Sequence, residues 1–168
     1  MATRKLLIIF LLTTALIGIS LISYKIRDAR ESVSEFGKNL FDGKIPIDYI
    51  TIIEDYSILK NSKYNNTILV LFDPECEACF KQIASISLNK QLFNRCHLVF
   101  ASTADPSVII DYANKFDLSG FSSLKIGILN ASTLKHFAIP YPTVILYDKS
   151  GYFLKGFKGG ATIEQIVP

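Results

Sequence analysis

The sequence predicts an α/β domain, a central mixed sheet flanked by helices, behind an N-terminal transmembrane helix. Three observations carry this. Leu6–Tyr24 is an uncharged, largely apolar run. Further on, "ILVLF" from Ile68 is followed by Cys79, Ile83 and Ile86 at helical spacing, and then by "HLVFAS" from His97. Near the end, "TVILY" and "YFLKGF" are separated only by the turn signal "DKSG". Strand–helix–strand implies a parallel pair and a short turn implies an antiparallel one, so the sheet is mixed.

Composition narrows the class before any motif is weighed. Hydrophobic residues make up 49% and charged residues 20% of the 168 positions. That suits a packed core and excludes a disordered chain. The formal charge is +3, and Arg4 and Lys5 supply two of those units. Basic residues are not clustered as a nucleic-acid footprint requires, so no nucleic-acid partner is expected. Three cysteines are too few for a disulfide-stapled scaffold.

Residues 1–24 are read as a signal anchor. As a helix, Leu6–Tyr24 spans about 28 Å, close to the roughly 30 Å of a bilayer's hydrocarbon core. A buried soluble helix would show a polar face, and none exists. A cleaved signal peptide is the competing reading. Gly18-Ile19-Ser20 has the small-x-small form, but it lies inside the apolar run rather than after it. No cysteine stands there to carry a lipid. The short basic N-terminus favours N-terminus in and domain out, against the basic residues Lys25, Arg27 and Arg30 that follow the span. The expected location is the cytoplasmic (inner) membrane, single-pass, with the domain on the periplasmic or extracytoplasmic side. Residues 25–45 are a mixed polar juxtamembrane linker, and residues 46–168 form the domain.

Within the domain, Ile68–Phe72 is a continuous apolar run, as a strand buried on both faces requires. Asp73-Pro74 ends it. A helix starts around Cys76 and buries the Cys79, Ile83, Ile86 stripe. "HLVFAS" is the next strand. Asp105 and Pro106 are a helix start, aspartate as N-cap and proline in the first turn. Val108, Ile109, Tyr112 and Phe116 give that helix its buried face. "KIGIL" is a short strand, and "STLKHF" from Ser132 a short helix. The "DKSG" hairpin follows, and Thr162–Val167 is a last short helix.

The order of these signals resembles the thioredoxin fold. A strand leads into "CEAC" at 76–79 opening a helix, a crossover follows, and "YPT" at 141–143 leads the hairpin. With the anchor, the chain looks most like the membrane-tethered, extracytoplasmic thiol–disulfide reductases of the TlpA/ResA type, over residues 46–167. "YDKSGYFLKGFKGG" matches the D-x-x-G…G ending of that group. The resemblance implies a redox-active Cys-x-x-Cys, protein disulfides as substrates, a membrane thiol as electron donor, and no cofactor. It also implies that Pro142 follows a cis bond facing the cysteines, and that Tyr141, Pro142 and Thr143 form the substrate-binding strand.

The chemistry fits the spacing. A helix start presents unpaired N–H groups and the positive dipole end to Cys76, which favours a thiolate. Cys79, one turn on, can reach back. Cys76 is therefore assigned as nucleophile and Cys79 as resolving thiol. Asp73, Glu75 and Glu77 put acidic charge beside the pair. That opposes thiolate formation and favours a reductant over an oxidant. Two departures stand out. Glu75 takes the place where the family usually has tryptophan, and Val70 the place of a buried proton-relaying aspartate.

Blander readings compete at several positions. Pro140 and Pro142 suit a plain loop. Cys96 reads as a small buried apolar residue. His97 and His136 are single histidines without ligand spacing. Cys76 and Cys79 with His136 could instead bind copper, as in thioredoxin-fold chaperones. Structural zinc needs four ligands and no second pair exists, so no metal is assigned. A catalytically idle, partner-binding adaptor is the remaining alternative.

Overall fold

Side-chain alternation on the central strands sets the architecture. In Asn66–Leu71 (β2), Ile68 and Val70 face one way and Leu69 and Leu71 the other, and all four are buried. Cys96–Ser102 (β3) repeats this with Leu98 and Phe100 against Val99 and Ala101. Thr143–Tyr147 (β5) does so with Val144 and Leu146 against Ile145 and Tyr147. A strand with two apolar faces needs cover on both, so these three occupy the middle of the sheet. The structure, a computed structural model, describes residues 16–23, 43–56, 66–130 and 139–167.

The six-stranded sheet is completed by Ile50–Asp55 (β1), Leu124–Leu129 (β4) and Phe153–Lys158 (β6), in the order β1-β4-β3-β2-β5-β6. β2 pairs with β3, and β3 with β4, in parallel. β1–β4, β2–β5 and β5–β6 are antiparallel. The mixed sheet expected from the sequence is thus present. β1 was not expected: only Ile50 of its six residues is buried, so it lacks the continuous apolar run that marks a central strand. Its pairing depends on Gly127, where a Cβ would meet Ile50 Cγ2 at 2.3 Å. At the hairpin turn, Asp148 Oδ1 accepts from the N–H groups of Ser150 and Tyr152, and Gly151 takes φ +80°. The aspartate and the glycine are what make "DKSG" a turn.

Three helices contribute to the Ile68/Val70 face: Glu77–Leu88 (α1), Pro106–Lys115 (α2) and Ile163–Ile166 (α3). Cys79, Ile83 and Ile86 are fully buried, so the predicted α1 stripe holds. In α2 the prediction needs one correction. Val108 is 44% exposed, and Ala113 joins Ile109, Tyr112 and Phe116 in the buried stripe. Positions 109, 112, 113 and 116 are the i, i+3, i+4, i+7 face, and Val108 falls on its flank. Asp105 is the N-cap residue of α2 by position, but its side chain makes no capping bond. Thr162 and Gln165 form a reciprocal capping box on α3.

Residues 16–23 are helical. The rest of the predicted membrane span, the linker up to residue 42, and the expected helix from Ser132 with His136 lie outside the described residues. Among the described residues no helix is long and apolar enough to cross a membrane.

Candidate active site

β2 ends at Leu71, and the chain leaves the sheet through Phe72, whose N–H still bonds Ala101 C=O. Asp73-Pro74-Glu75 then turns it. Asp73 C=O accepts from Cys76 N–H at 3.1 Å, and Asp73 Oδ1 from Glu75 N–H at 2.9 Å. Proline cannot continue the ladder, and the aspartate closes the local turn. Cys76 emerges as the N-cap of α1.

The two sulfurs differ in environment. Cys76 is half-buried and Cys79 fully buried, and both are free thiols. Cys79 N–H donates to Cys76 Sγ at 3.3 Å, in the position a capping oxygen normally takes. Cys76 Sγ thus sits at the N-terminal end of α1 as acceptor of a helix N–H. Burial pushes the Cys79 thiol up from about 9 to about 12, and a bond from Asp73 N–H to its Sγ at 3.5 Å acts the other way. Cys76 is the accessible sulfur and Cys79 the one kept protonated.

The opposite wall comes from a segment 65 residues away. The Tyr141–Pro142 bond is cis, and Cys76 Sγ donates to Tyr141 C=O at 3.8 Å. Pro142 C=O accepts from Gly159 N–H at 2.8 Å and Gly160 N–H at 3.1 Å. Gly160 is pressed against α1: a Cβ there would lie 2.9 Å from Gln82 Oε1 and 3.5 Å from Pro142 Cγ. Gln82 Oε1 in turn accepts from Ala161 N–H at 2.7 Å. So α1 and its N-cap carry both the cysteines and the amide that braces the proline loop. Sequence reasoning missed Gln82, and took Gly159-Gly160 only as part of the family-like ending, not as a contact with the proline loop. Two adjacent glycines directly after a strand were the available signal of close backbone approach.

No protein-family model matches the chain, and no curated protein does. Among solved structures it is similar to a thiol-disulfide isomerase from Corynebacterium glutamicum, with TM-score 0.52 and 10% identity over 70% of this chain and 88% of that one. A thioredoxin-like superfamily protein matches with TM-score 0.52 and 11% identity, over 70% and 88%. The solution structure of a thioredoxin-like protein in its oxidised form matches with TM-score 0.50 and 15% identity, over 62% and 74%. The fold is thioredoxin-like.

The thioredoxin-like domain brings together most residues singled out from the sequence. Cys76, Cys79, Asp73 and the Tyr141-Pro142 backbone converge. Glu77 points elsewhere: it is exposed and paired with Lys81 at 2.7 Å, which lowers its pKa. Glu75 is exposed beside Cys76. Thr143 is fully buried, and its hydroxyl donates to Pro140 C=O at 2.5 Å, so its side chain fastens the turn. Val70 is fully buried in the same cluster as Cys79. Tyr112, read from the sequence only as core, also reaches the site. Its phenol is pushed up to about 12, by burial first and then by the potentials of Cys79, Cys76 and Asp73.

Cys96 is 1% exposed, and burial pushes its thiol up to about 11. His97 is half-buried with its Nδ1 2.7 Å from Ser123 Oγ, and burial lowers its pKa. Among the described residues, no three His, Cys, Asp or Glu side chains are grouped to hold a metal ion.

Proposed function

We propose that this chain is an extracytoplasmic thiol–disulfide oxidoreductase that reduces protein disulfides through Cys76 and Cys79. The observation that carries the reading is the asymmetry of the pair: a half-buried sulfur receiving a helix N–H, beside a buried thiol one turn on. Cys76 thiolate attacks one substrate sulfur, and the substrate S–S bond breaks as the mixed disulfide forms. The departing substrate thiolate takes up the proton that Cys79 gives up. Cys79 then attacks Cys76 Sγ, and the second substrate sulfur leaves and is protonated from water. Two electrons have passed to the substrate, and the domain is left with a Cys76–Cys79 disulfide. A membrane thiol donor resets it.

Reduction is favoured over oxidation because burial first, and the Asp73 charge after it, raise the Cys79 thiol. A dithiol whose thiolate form is disfavoured gives up its electrons more readily. The apolar run Leu6–Tyr24 supports tethering to the lipid bilayer with the domain on the extracytoplasmic side. Protease added to intact spheroplasts should then remove the domain, and full protection would overturn that placement.

The test is equilibration of the full chain with glutathione or dithiothreitol, the thiol state being read by mass. A reversible two-electron transition near thioredoxin's potential of about −270 mV supports the reductase. A potential near −120 mV, the range of strong oxidants, reverses the direction. Cys76→Ser abolishes turnover, and Cys79→Ser accumulates mixed disulfides. Full multi-turnover activity of Cys79→Ser would overturn the assignment of roles.

A further inference from the structure

One cleft beside the dithiol is not used by the exchange chemistry. It has a volume of about 310 Å³ and is lined by Pro74, Glu75, Val108, Asp111, Tyr112 and Lys115. That lies at the small end of ligand sites, roughly 300–1,000 Å³. Pro74 and Glu75 immediately precede Cys76, so the cleft adjoins the nucleophile.

The lining has three chemical parts. Tyr112 is 8% exposed, and its hydroxyl is buried without a hydrogen-bond partner among the described residues. Such a group is costly to leave unpaired until something bonds to it. Glu75 and Asp111 are exposed carboxylates that no described cation pairs with. Pro74 and the 44%-exposed Val108 are apolar. The one cation, Lys115, sits with its ammonium 5.0 Å from the centre of the Phe80 ring on α1.

We propose that this cleft is a subsite for a basic side chain, arginine or lysine, flanking the disulfide cysteine of the substrate. Its aliphatic stem lies on Val108 and Pro74. Its cationic head sits between Glu75 and Asp111, where its N–H groups also satisfy the Tyr112 hydroxyl oxygen. Arginine, with a planar fork of donors, suits two carboxylates and a hydroxyl better than lysine does. The inference rests on Cys76 attacking protein disulfides. It adds that positively charged sequence around the target cysteine selects the substrate.

The experiment uses the full chain, reduced, in single-turnover reactions. The probes are three disulfide-bridged peptides that differ only at the residue next to the cysteine: arginine, alanine or glutamate. Uncharged hydroxyethyl disulfide is the fourth probe. The arginine peptide reacts about fivefold faster than the alanine peptide, as one to two partly exposed ion pairs allow, and the glutamate peptide slowest. The preference shrinks in 1 M salt, where the Debye length is about 3 Å. The double variant Glu75→Gln with Asp111→Asn brings the arginine-to-alanine ratio near one, and Tyr112→Phe lowers it. A ratio within one variant cancels any change in thiol reactivity. Equal rates for the three peptides, or a preference for glutamate, overturn the subsite while hydroxyethyl disulfide is still reduced. If hydroxyethyl disulfide is not reduced either, the dithiol reading fails, and the subsite with it.

Discussion

Gly160→Ala tests the brace between α1 and the proline loop. At φ +98° an L residue is strained, by about 1–2 kcal/mol for left-handed backbone. The new Cβ also meets Gln82 Oε1 at 2.9 Å. Gln82 then has to move, and its bond to Ala161 N–H goes with it. A net hydrogen bond is worth about 1 kcal/mol, and more where a group is left buried and unpaired. The expected loss is therefore about 2–4 kcal/mol. Gly159→Ala is the control: it has φ +75° and nothing within 4 Å, so only the backbone cost of about 1–2 kcal/mol applies. With a urea slope of about 2 kcal/mol per molar, the two midpoints differ by about 0.5–1 M. The rate of disulfide reduction falls further in Gly160→Ala, because the same loop faces Cys76. Equal midpoints for the two variants would refute the idea that Gln82 couples α1 to this loop.

Three further outcomes follow from burial. Ile83 is fully buried, so Ile83→Ala costs about 2–5 kcal/mol in urea unfolding; a loss under 1 kcal/mol would place it outside the core. Val70→Asp puts a carboxyl into the cluster that holds Cys79. Burial raises its folded-state pKa, so the cost is smallest below about pH 4, where the carboxyl is neutral, and grows as pH rises, by about 3 kcal/mol or more at pH 7; a cost independent of pH would contradict this. Cys96, raised from 9.0 to about 11, contributes stability in full below pH 9 and loses it as pH rises toward 11. Cys96→Ala should flatten that decline by up to about 1.4 kcal/mol per pH unit, and an unchanged slope would mean the thiol does not titrate with folding.

Signals that live in neighbouring residues were legible without coordinates. The run at Ile68–Phe72 marked a strand buried on both faces, and the Cys79, Ile83, Ile86 spacing marked the buried face of α1. "DKSG" marked the turn, and "CEAC" and "YPT" marked the two walls of the site. Each rests on backbone geometry or side-chain periodicity within about ten residues. The edge strand Ile50–Asp55 escaped because its weak burial leaves no apolar run to read. Val108 was misassigned because an apolar residue on a helix flank has the same local pattern as one on the face.

What only the tertiary structure decided is which distant segments meet. The strand order puts β2 between β3 and β5, so Cys76, just beyond the end of β2, meets Tyr141, just before the start of β5. That pairing then presses Gly160 onto Gln82 and buries Cys79 while leaving Cys76 half-open. Burial and close approach are properties of the whole packing. The cysteines were therefore legible as a pair in the sequence, but their unequal environments exist only once the sheet is assembled.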